Sequence, residues 1–261
     1  MIYITGDTHS YLEERLNVEA FPEQKEMTKE DFVIITGDFG GVWYTKNEAK
    51  NAANYSYDEA EKVLDWLDSL PFTTCFVCGN HENFDRLYNE YEVVDFHGGK
   101  AHKIRDSIYH LMRGEIFELD GKKIFAFGGA KSHDIKDGIL EPDQMDLVPL
   151  WQYRRKAFRV NHLSWWKEEM PSEAEMQNGR MNLANEDNTV DFVITHDCPI
   201  GIFYLLGYAA YPGREVNILQ SYLQEIAEKT KFKKWFFGHH HVNMNVTDQF
   251  IALFDQIIRI A

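Results

Sequence analysis

Residues 2–9 read Ile-Tyr-Ile-Thr-Gly-Asp-Thr-His, a short apolar run followed by a glycine and by an aspartate and a histidine of metal-binding type. Four more apolar runs end in metal-binding residue types, and three of these also pass through a glycine. They are Phe32 to Thr36 before Gly37-Asp38, Thr73 to Cys78 before Gly79-Asn80-His81-Glu82, Phe192 to Thr195 before His196, and Trp235 to Phe237 before Gly238-His239-His240-His241. Short apolar runs bounded by glycine are typical of buried strands.

These strand ends are expected to form one crevice. Glycine lets the backbone turn sharply with positive φ, and the carboxyl ends of neighbouring strands meet at one edge of a sheet. Asp, Asn and several His supply oxygen and nitrogen ligands, a mixture suited to Mn, Fe, Zn or Co and unlike the all-oxygen sites of Ca. The sequence therefore predicts a metal site.

Taken in order, the blocks Asp-x-His, Gly-Asp, Gly-Asn-His-Glu, a lone His and Gly-His-x-His resemble the calcineurin-like metallophosphoesterases. The resemblance runs from Asp7 to His241, nearly the whole chain. It implies an α/β fold of two packed mixed β-sheets flanked by helices. It also implies an enzyme that hydrolyses phosphomonoesters or phosphodiesters with two metal ions, by attack of a hydroxide that bridges them.

The resemblance also implies the ligands and the catalytic residue. Asp38 would bridge the two ions, which we expect to be Mn or Fe, with Zn as an alternative. The other ligands would be Asp7, His9 and His241 for one ion, and Asn80, His196 and His239 for the second. His81 would act as general acid toward the leaving oxygen; its alternative role is that of a hydrogen-bond donor behind the ligands.

Two features separate the chain from the protein serine/threonine phosphatases of this family. Those enzymes continue the Gly-Asp block with an acidic residue and an arginine, whereas Phe39 to Trp43 follow here, and Ser10 stands where they have glycine. The residue that orients His81 is therefore not identified by the sequence. Protein phosphatase activity is disfavoured.

Composition limits the class of protein. The 261 residues favour one domain, and no stretch has the length and apolarity of a membrane span or a signal peptide, so we expect a cytoplasmic protein. The net charge of −15 disfavours an extended nucleic-acid surface. We expect a small phosphorylated substrate. Two alternatives remain: a nuclease or nucleotide phosphodiesterase, and a catalytically silent metal-binding scaffold.

Residues 132–188 are the least regular part of the chain and are expected to be a helical, cap-like insertion, either a lid or a structural cover. Within this insertion we predict helices over Trp151 to Glu169 and Glu173 to Ala184. Outside it we predict a helix from about Tyr57 to Leu70, a hairpin around Asp120-Gly121 and a strand near Phe250 to Ile260. Further phosphate-binding candidates, for which a solvated surface role is the favoured alternative, are Lys131, His133, Arg154 and Arg155. Cys75 and Cys78 form a C-x-x-C within a predicted strand, so we expect buried thiols without chemistry.

Overall fold

A computed structural model of the protein describes residues 1–46, 56–207 and 215–261. The described strands are β1 (Ile2–Thr5), β2 (Phe32–Ile35), β3 (Thr73–Phe76), β4 (Glu92–Phe96), β5 (Gly99–Arg105), β6 (Ile108–Leu111), β7 (Glu115–Leu119), β8 (Lys122–Phe127), β9 (Gly138–Leu140), β10 (Phe158–Val160), β11 (Phe192–Thr195), β12 (Lys234–Phe237), β13 (Met244–Asn245), β14 (Phe250–Ala252) and β15 (Ile257–Arg259). The α-helices are α1 (Leu12–Leu16), α2 (Tyr57–Ser69), α3 (Phe84–Asn89), α4 (Val148–Tyr153), α5 (Glu173–Asn185), α6 (Ile200–Leu205) and α7 (Ile218–Lys229). Short 3₁₀ helices cover Pro22–Glu26, Pro142–Leu147 and Lys167–Glu169.

Two large mixed sheets form the centre of the protein. The first has the order β15-β1-β2-β3-β6-β5-β4, and the second has the order β13-β14-β12-β11-β8-β7. In the first sheet β1, β2 and β3 are parallel neighbours; in the second β8, β11, β12 and β14 are. Carboxyl ends therefore share an edge within each sheet. The mixed α/β fold predicted from the sequence is confirmed.

Strand residues alternate between two apolar layers, which explains why the central strands are apolar on both faces. Ile2 and Ile4 of the first sheet share one core layer with Ile194 and Phe236 of the second, so this layer lies between the sheets. Side chains of the intervening strand positions pack under helices instead. On the first sheet these helices are α1, α2 and α3, and on the second they are α5, α6 and α7.

Most predicted elements are present with small shifts at their ends, among them helix α2 and the β7-β8 hairpin around Asp120-Gly121. The predicted helix over Trp151 to Glu169 is wrong. Helix α4 ends at Tyr153, and Arg155 has a positive φ of 52° that a helix does not tolerate. Strand β10 follows and pairs in parallel with β9. Phe158 and Val160 lie two residues apart and therefore share one face of this strand.

The predicted strand over Phe250 to Ile260 is also wrong, because it is two strands in different sheets. Strand β14 belongs to the second sheet, whereas β15 pairs antiparallel with β1 in the first. Between them the backbone turns around Asn243, whose Oδ1 accepts hydrogen bonds from the amides of Phe254 and Gln256 at 2.8 and 3.5 Å. The end of the chain therefore ties the two sheets together.

Two smaller observations bear on the sequence-based expectations. Cys75 and Cys78 are buried, and burial raises the pKa of the Cys78 thiol to about 11, so both stay protonated and unreactive. Among the described residues, no helix has the length and apolarity needed to cross a membrane.

Candidate metal centre

The seven predicted metal ligands all lie just beyond the carboxyl ends of strands. Loops after β1, β2 and β3 of the first sheet carry Asp7, His9, Asp38 and Asn80, and loops after β11 and β12 of the second carry His196, His239 and His241. The structure brings the seven together. Their role as ligands stays a prediction.

One group of four potential ligands is compact. Asp7, His9, Asp38 and His241 each offer one ligand atom, and these atoms all lie within 4.8 Å of one another. His9 Nε2 is 2.9 Å from His241 Nε2 and 3.6 Å from Asp38 Oδ2, and His241 Nε2 is 3.1 Å from Asp7 Oδ2. Two carboxylates and two imidazoles facing one point are a suitable donor set for a transition metal.

A second group surrounds His196 on the other side of Asp38. His196 Nε2 lies 3.4 Å from Asp38 Oδ1 and 3.4 Å from Asn80 Oδ1. The other ring nitrogen, Nδ1, is 2.7 Å from the carbonyl oxygen of Thr36, so that nitrogen donates a proton to Thr36, and Nε2 is the nitrogen that could bind a metal in place of its own proton. The His239 ring lies 5.1 Å from the His196 ring, centroid to centroid.

The buried charges show that this site favours a cation. Burial alone would raise the pKa of Asp38, but His196, His81 and His9 hold it well below its ordinary value. Burial opposes a charge on His196 as well, yet the Asp38 and Asp7 carboxylates raise its pKa to about 10. A proton on His196 therefore balances the carboxylates, which is a task that a bound metal ion performs equally well.

Four of the predicted ligands have a strained backbone. His9, Asp38, His239 and His241 have positive φ values of 44°, 46°, 64° and 51°, which non-glycine residues rarely adopt. Such strain persists only where the surrounding structure imposes it, and it clusters at functional sites. The ligand loops are therefore held in shape by the sheets.

The glycines before the ligands play a different part from the one expected. Only Gly37, with φ of 98°, has a positive φ. At Gly79 and Gly238 a Cβ atom would lie 2.0 Å from Asp38 Oδ1 and 2.1 Å from Asp7 Oδ1, and at Gly6 it would lie 2.4 Å from the Leu253 carbonyl oxygen. The expectation of a positive φ is wrong at these three positions, where glycine is required because it leaves room for neighbouring groups.

His81 lies beside the two groups. Its backbone amide donates to Asp38 Oδ1 at 2.8 Å, and its ring lies 5.4 Å from the His9 ring and 6.0 Å from the Trp43 ring. Burial lowers the pKa of His81 although Asp38 acts to raise it. The His81 imidazole therefore lies near the potential ligands, with the rings of His9 and Trp43 as its neighbours.

Sequence reasoning missed several residues that support the site. Glu82 is buried, and its Oε1 accepts from the amides of Phe39 and Gly79 at 2.9 and 3.4 Å, which ties the loop after β2 to the loop after β3. Ser132 and Glu169 approach Asn80 from residues 132–188. Glu82 was visible as the last residue of Gly-Asn-His-Glu, whereas nothing in the sequence marks Ser132 or Glu169.

The other cationic candidates lie at different distances from the site. His133 is exposed, and its ring is 6.4 Å from that of His239. Lys131, Arg154 and Arg155 are exposed. Arg159, which the sequence did not indicate, pairs with Asp134 through its Nε at 2.8 Å, and both charges act on His81.

A buried cluster of Asp197, Cys198 and His240 lies behind His196 and His239. His240 Nε2 is 3.5 Å from Asp197 Oδ1 and 3.3 Å from Cys198 Sγ. Asp197 Oδ1 also accepts from the Cys198 amide at 2.8 Å and from Gln220 Nε2 at 3.2 Å. These bonds fix the loops that carry His196 and His239.

Comparison with known proteins places the chain in a family. The model of the calcineurin-like phosphoesterases matches residues 1–243. Lariat debranching enzyme A of Xenopus laevis is 23% identical over 263 residues, covering 92% of this chain and 42% of that protein, so the chain spans less than half the length of this relative. A crystal structure of a phosphopantetheinyl hydrolase from Mycobacterium tuberculosis is 15% identical, with a TM-score of 0.40, over 97% of this chain and 89% of that one.

The family match covers every strand-end loop of the site, from Asp7 to His241. The protein belongs to the calcineurin-like phosphoesterase family.

Proposed function

We propose that the protein hydrolyses small phosphomonoesters or phosphodiesters with two metal ions that share Asp38. One observation carries the proposal: the two oxygens of the Asp38 carboxylate face two separate groups of donors. Oδ2 faces the group with His9, at 3.6 Å from its Nε2, and Oδ1 faces the group with His196, at 3.4 Å from its Nε2. Asp7, His9 and His241 would complete one metal site, and Asn80, His196 and His239 the other.

The metal ions would supply acidity to a coordinated water and would neutralise charge that develops on the phosphate oxygens. The chain's own residues must then place the ester and protonate the leaving oxygen. We assign the second task to His81, whose amide is anchored on Asp38. The lowered pKa makes the His81 imidazolium a stronger acid. It also reduces the fraction of His81 that is protonated near neutral pH.

Residues 132–188 would form one wall of the substrate site within a single domain. Trp166 Nε1 donates to Asp85 Oδ2 at 2.8 Å, and the Trp166 ring lies 5.6 Å from Trp43, the neighbour of His81. Arg159 and Asp134 of the same segment act on His81 from this side. The proposed wall therefore combines the half-buried ring of Trp43, against which the buried Trp166 packs, with Arg159, and this pairing suits a phosphate ester with an organic group.

The proposal is tested by metal analysis of the purified protein followed by an ester screen with added Mn²⁺. We expect about two metal ions per chain and hydrolysis of nitrophenyl mono- or diesters that stops when the metal is removed by a chelator. A protein that binds only one ion per chain while fully active would contradict the shared role of Asp38. Activity that survives chelation would contradict the proposed role of the metals.

A nucleic-acid phosphodiesterase is the second candidate, and the similarity to a lariat debranching enzyme favours it. Residues 132–188 also expose Tyr153, Arg154 and Arg155 side by side, the combination of aromatic and basic side chains that single-stranded nucleic acids bind. The net charge of −15 acts against it. Cleavage of oligonucleotides with a strong salt dependence, weakened in Arg154→Glu/Arg155→Glu, would establish this candidate; cleavage of small diesters alone would exclude it.

A further inference from the structure

Asn80 presents a problem that the aspartate and histidine ligands do not. Its side chain has one oxygen, which can bind a metal, and one NH₂ group, which cannot. A rotation of the amide by 180° would place the NH₂ group where the oxygen was, with almost no change in the shape of the side chain. The structure must therefore contain something that selects one orientation.

We propose that Ser132 and Glu169 are positioning residues that hold the Asn80 amide with its oxygen toward the metal centre. Asn80 Nδ2 donates to Ser132 Oγ at 3.2 Å, while Oδ1 is turned to His196 Nε2 at 3.4 Å. Asn80, Ser132 and Glu169 are 6%, 6% and 1% exposed, so water cannot readily replace these partners. The inference rests on the proposed function of Asn80 as a metal ligand.

The direction of the hydrogen bonds follows from counting hydrogens. Glu169 Oε1 accepts the Ser132 amide at 2.9 Å, and Oε2 accepts the Ser132 hydroxyl at 2.6 Å. A hydroxyl has a single hydrogen, and Glu169 takes it, so Ser132 Oγ can only accept from its other neighbour. That neighbour, Asn80, must then turn its NH₂ group to Ser132 and its oxygen to the centre.

Glu169 is itself fixed in place. It ends the 3₁₀ helix Lys167–Glu169, and the buried Arg113 guanidinium donates from Nη2 to the carbonyl oxygens of Glu168 and Glu169 at 2.7 and 3.2 Å. Arg113 Nε is bonded at 2.9 Å to the carbonyl oxygen of Gly128, which lies four residues before Ser132. Arg113 thus joins the backbone of Glu169 to the backbone four residues before Ser132.

The sharpest test is Glu169→Gln, which keeps shape and removes one acceptor. The glutamine oxygen is needed by the Ser132 amide, so its NH₂ group faces Ser132 Oγ and donates to it. The Ser132 hydrogen is then free to point to Asn80, and the amide is expected to turn its oxygen away from the centre. We expect affinity for one of two Mn²⁺ ions to fall about 10- to 100-fold, with the other unchanged.

Both affinities are measured without an activity assay, by titrating the full chain with Mn²⁺ and recording the signal of the free ion. The titrations are run at pH 8, above the pKa of about 7 to which burial raises the Glu169 carboxyl. Glu168→Gln is the matched control, since it makes the same change at the adjacent residue of the same 3₁₀ helix and should leave both affinities as in the wild type. Thermal melting shows whether each variant is folded, and Ser132→Ala is a second route, expected to weaken the same ion by a smaller factor.

Asn80→Asp distinguishes an effect of the orientation of the Asn80 amide from any general effect of Glu169→Gln. A carboxylate offers an oxygen in either orientation, so Glu169→Gln should cost little or nothing in the Asn80→Asp background. An equal loss in both backgrounds, or no loss in either, would overturn the positioning role. If Asn80→Ala leaves both Mn²⁺ affinities at wild-type values, the proposed ligand set itself fails; if it weakens one ion while Glu169→Gln does not, only the positioning role fails.

Discussion

The strand-end loops and residues 132–188 both border the metal centre, but they are held by different means. Backbone bonds join the loops to one another: the His9 amide donates to the Asp38 carbonyl at 2.8 Å, and the Gly238 amide donates to the His196 carbonyl at 3.0 Å. Residues 132–188 are joined to this part of the molecule through side chains: Ser132 accepts from Asn80, Glu169 accepts from Ser132, and Trp166 donates to Asp85 of helix α3. We infer that the loops determine which groups can bind metal, whereas residues 132–188 adjust how they do so.

If this division is right, the largest effects belong to the loops, and Asp38→Asn should have the largest of all. An amide has one acceptor oxygen and no charge, so it cannot serve two cations. We expect losses of metal affinity and activity beyond the roughly 100-fold typical of residues that only support a ligand, and elemental analysis should show weaker occupancy of both ions. Full content of both metals in this variant would refute the shared carboxylate.

His81→Ala tests a loop residue that is not in the predicted ligand set. We expect both metals to be retained and turnover to fall by about 10² to 10⁴, the range of a positioned general acid. The loss should shrink for esters with acidic leaving groups such as nitrophenolate, because these depart without a proton. Turnover measured over a series of aryl and alkyl esters decides; an equal loss throughout would assign His81 to charge stabilisation, and wild-type rates would end the catalytic role.

The acid sensitivity of the protein does not depend on these two regions alone, because a buried pair of histidines on strands β5 and β6 also responds to pH. His102 Nδ1 is 3.0 Å from His110 Nδ1, and burial lowers the pKa of His102 to about 4. The folded state therefore binds fewer protons than the unfolded state, in which a histidine titrates near 6.5. Stability is complete above about pH 6.5 and is lost as the pH falls toward 4.

For His102 alone this amounts to about 2 kcal/mol of unfolding free energy between pH 7 and pH 5, since the free energy changes by about 1.4 kcal/mol per pH unit for each proton that only the unfolded state binds. Urea unfolding of metal-free protein at these two pH values measures it. His102→Gln should lose less stability between them than the wild type. A wild-type pH dependence in His102→Gln would assign acid sensitivity to other groups.

Trp166→Phe probes residues 132–188 and should have the smallest effect. It removes the Nε1–H donor to Asp85, a hydrogen bond to a charged group worth about 1.5–3 kcal/mol before His162, the other partner of Asp85, compensates part of it. We expect a net loss of about 1 kcal/mol in stability, a raised KM and unchanged metal content. Trp151→Phe, in the same segment, is the control; loss of metal in Trp166→Phe would contradict the division between the two regions.

What the sequence could predict follows the same division. Each ligand loop is a continuous block in which an apolar strand leads directly to its polar end, so Asp7, Asp38 or Asn80 can be located from neighbours in the chain. The contacts of residues 132–188 join positions far apart: Asn80 to Ser132 across 52 residues, and Ser132 to Glu169 across 37. The two partners are a serine and a glutamate that no motif in the sequence marks, and their backbone is held in part by the hydrogen bonds of Arg113 to Gly128, Glu168 and Glu169.

The two wrong elements have a related cause. The helix predicted over Trp151 to Glu169 rested on local spacing, yet strand β10 is stabilised by its pairing with β9, about 20 residues earlier. The strand predicted over Phe250 to Ile260 looked continuous because β14 and β15 are both apolar, although each belongs to a different sheet. Propensity is a weak guide where the partner strand decides the structure.

The glycines beside the carboxylates have a consequence for how the centre acquires its metals. Asp38 Oδ1 and Asp7 Oδ1 occupy the spaces that a Cβ atom of Gly79 or Gly238 would fill, and each also accepts a backbone amide. Their rotamers are consequently fixed when the chain folds, before any ion arrives. The conformational entropy of these ligands is lost during folding and not during metal binding, so metal association should require little rearrangement of the protein.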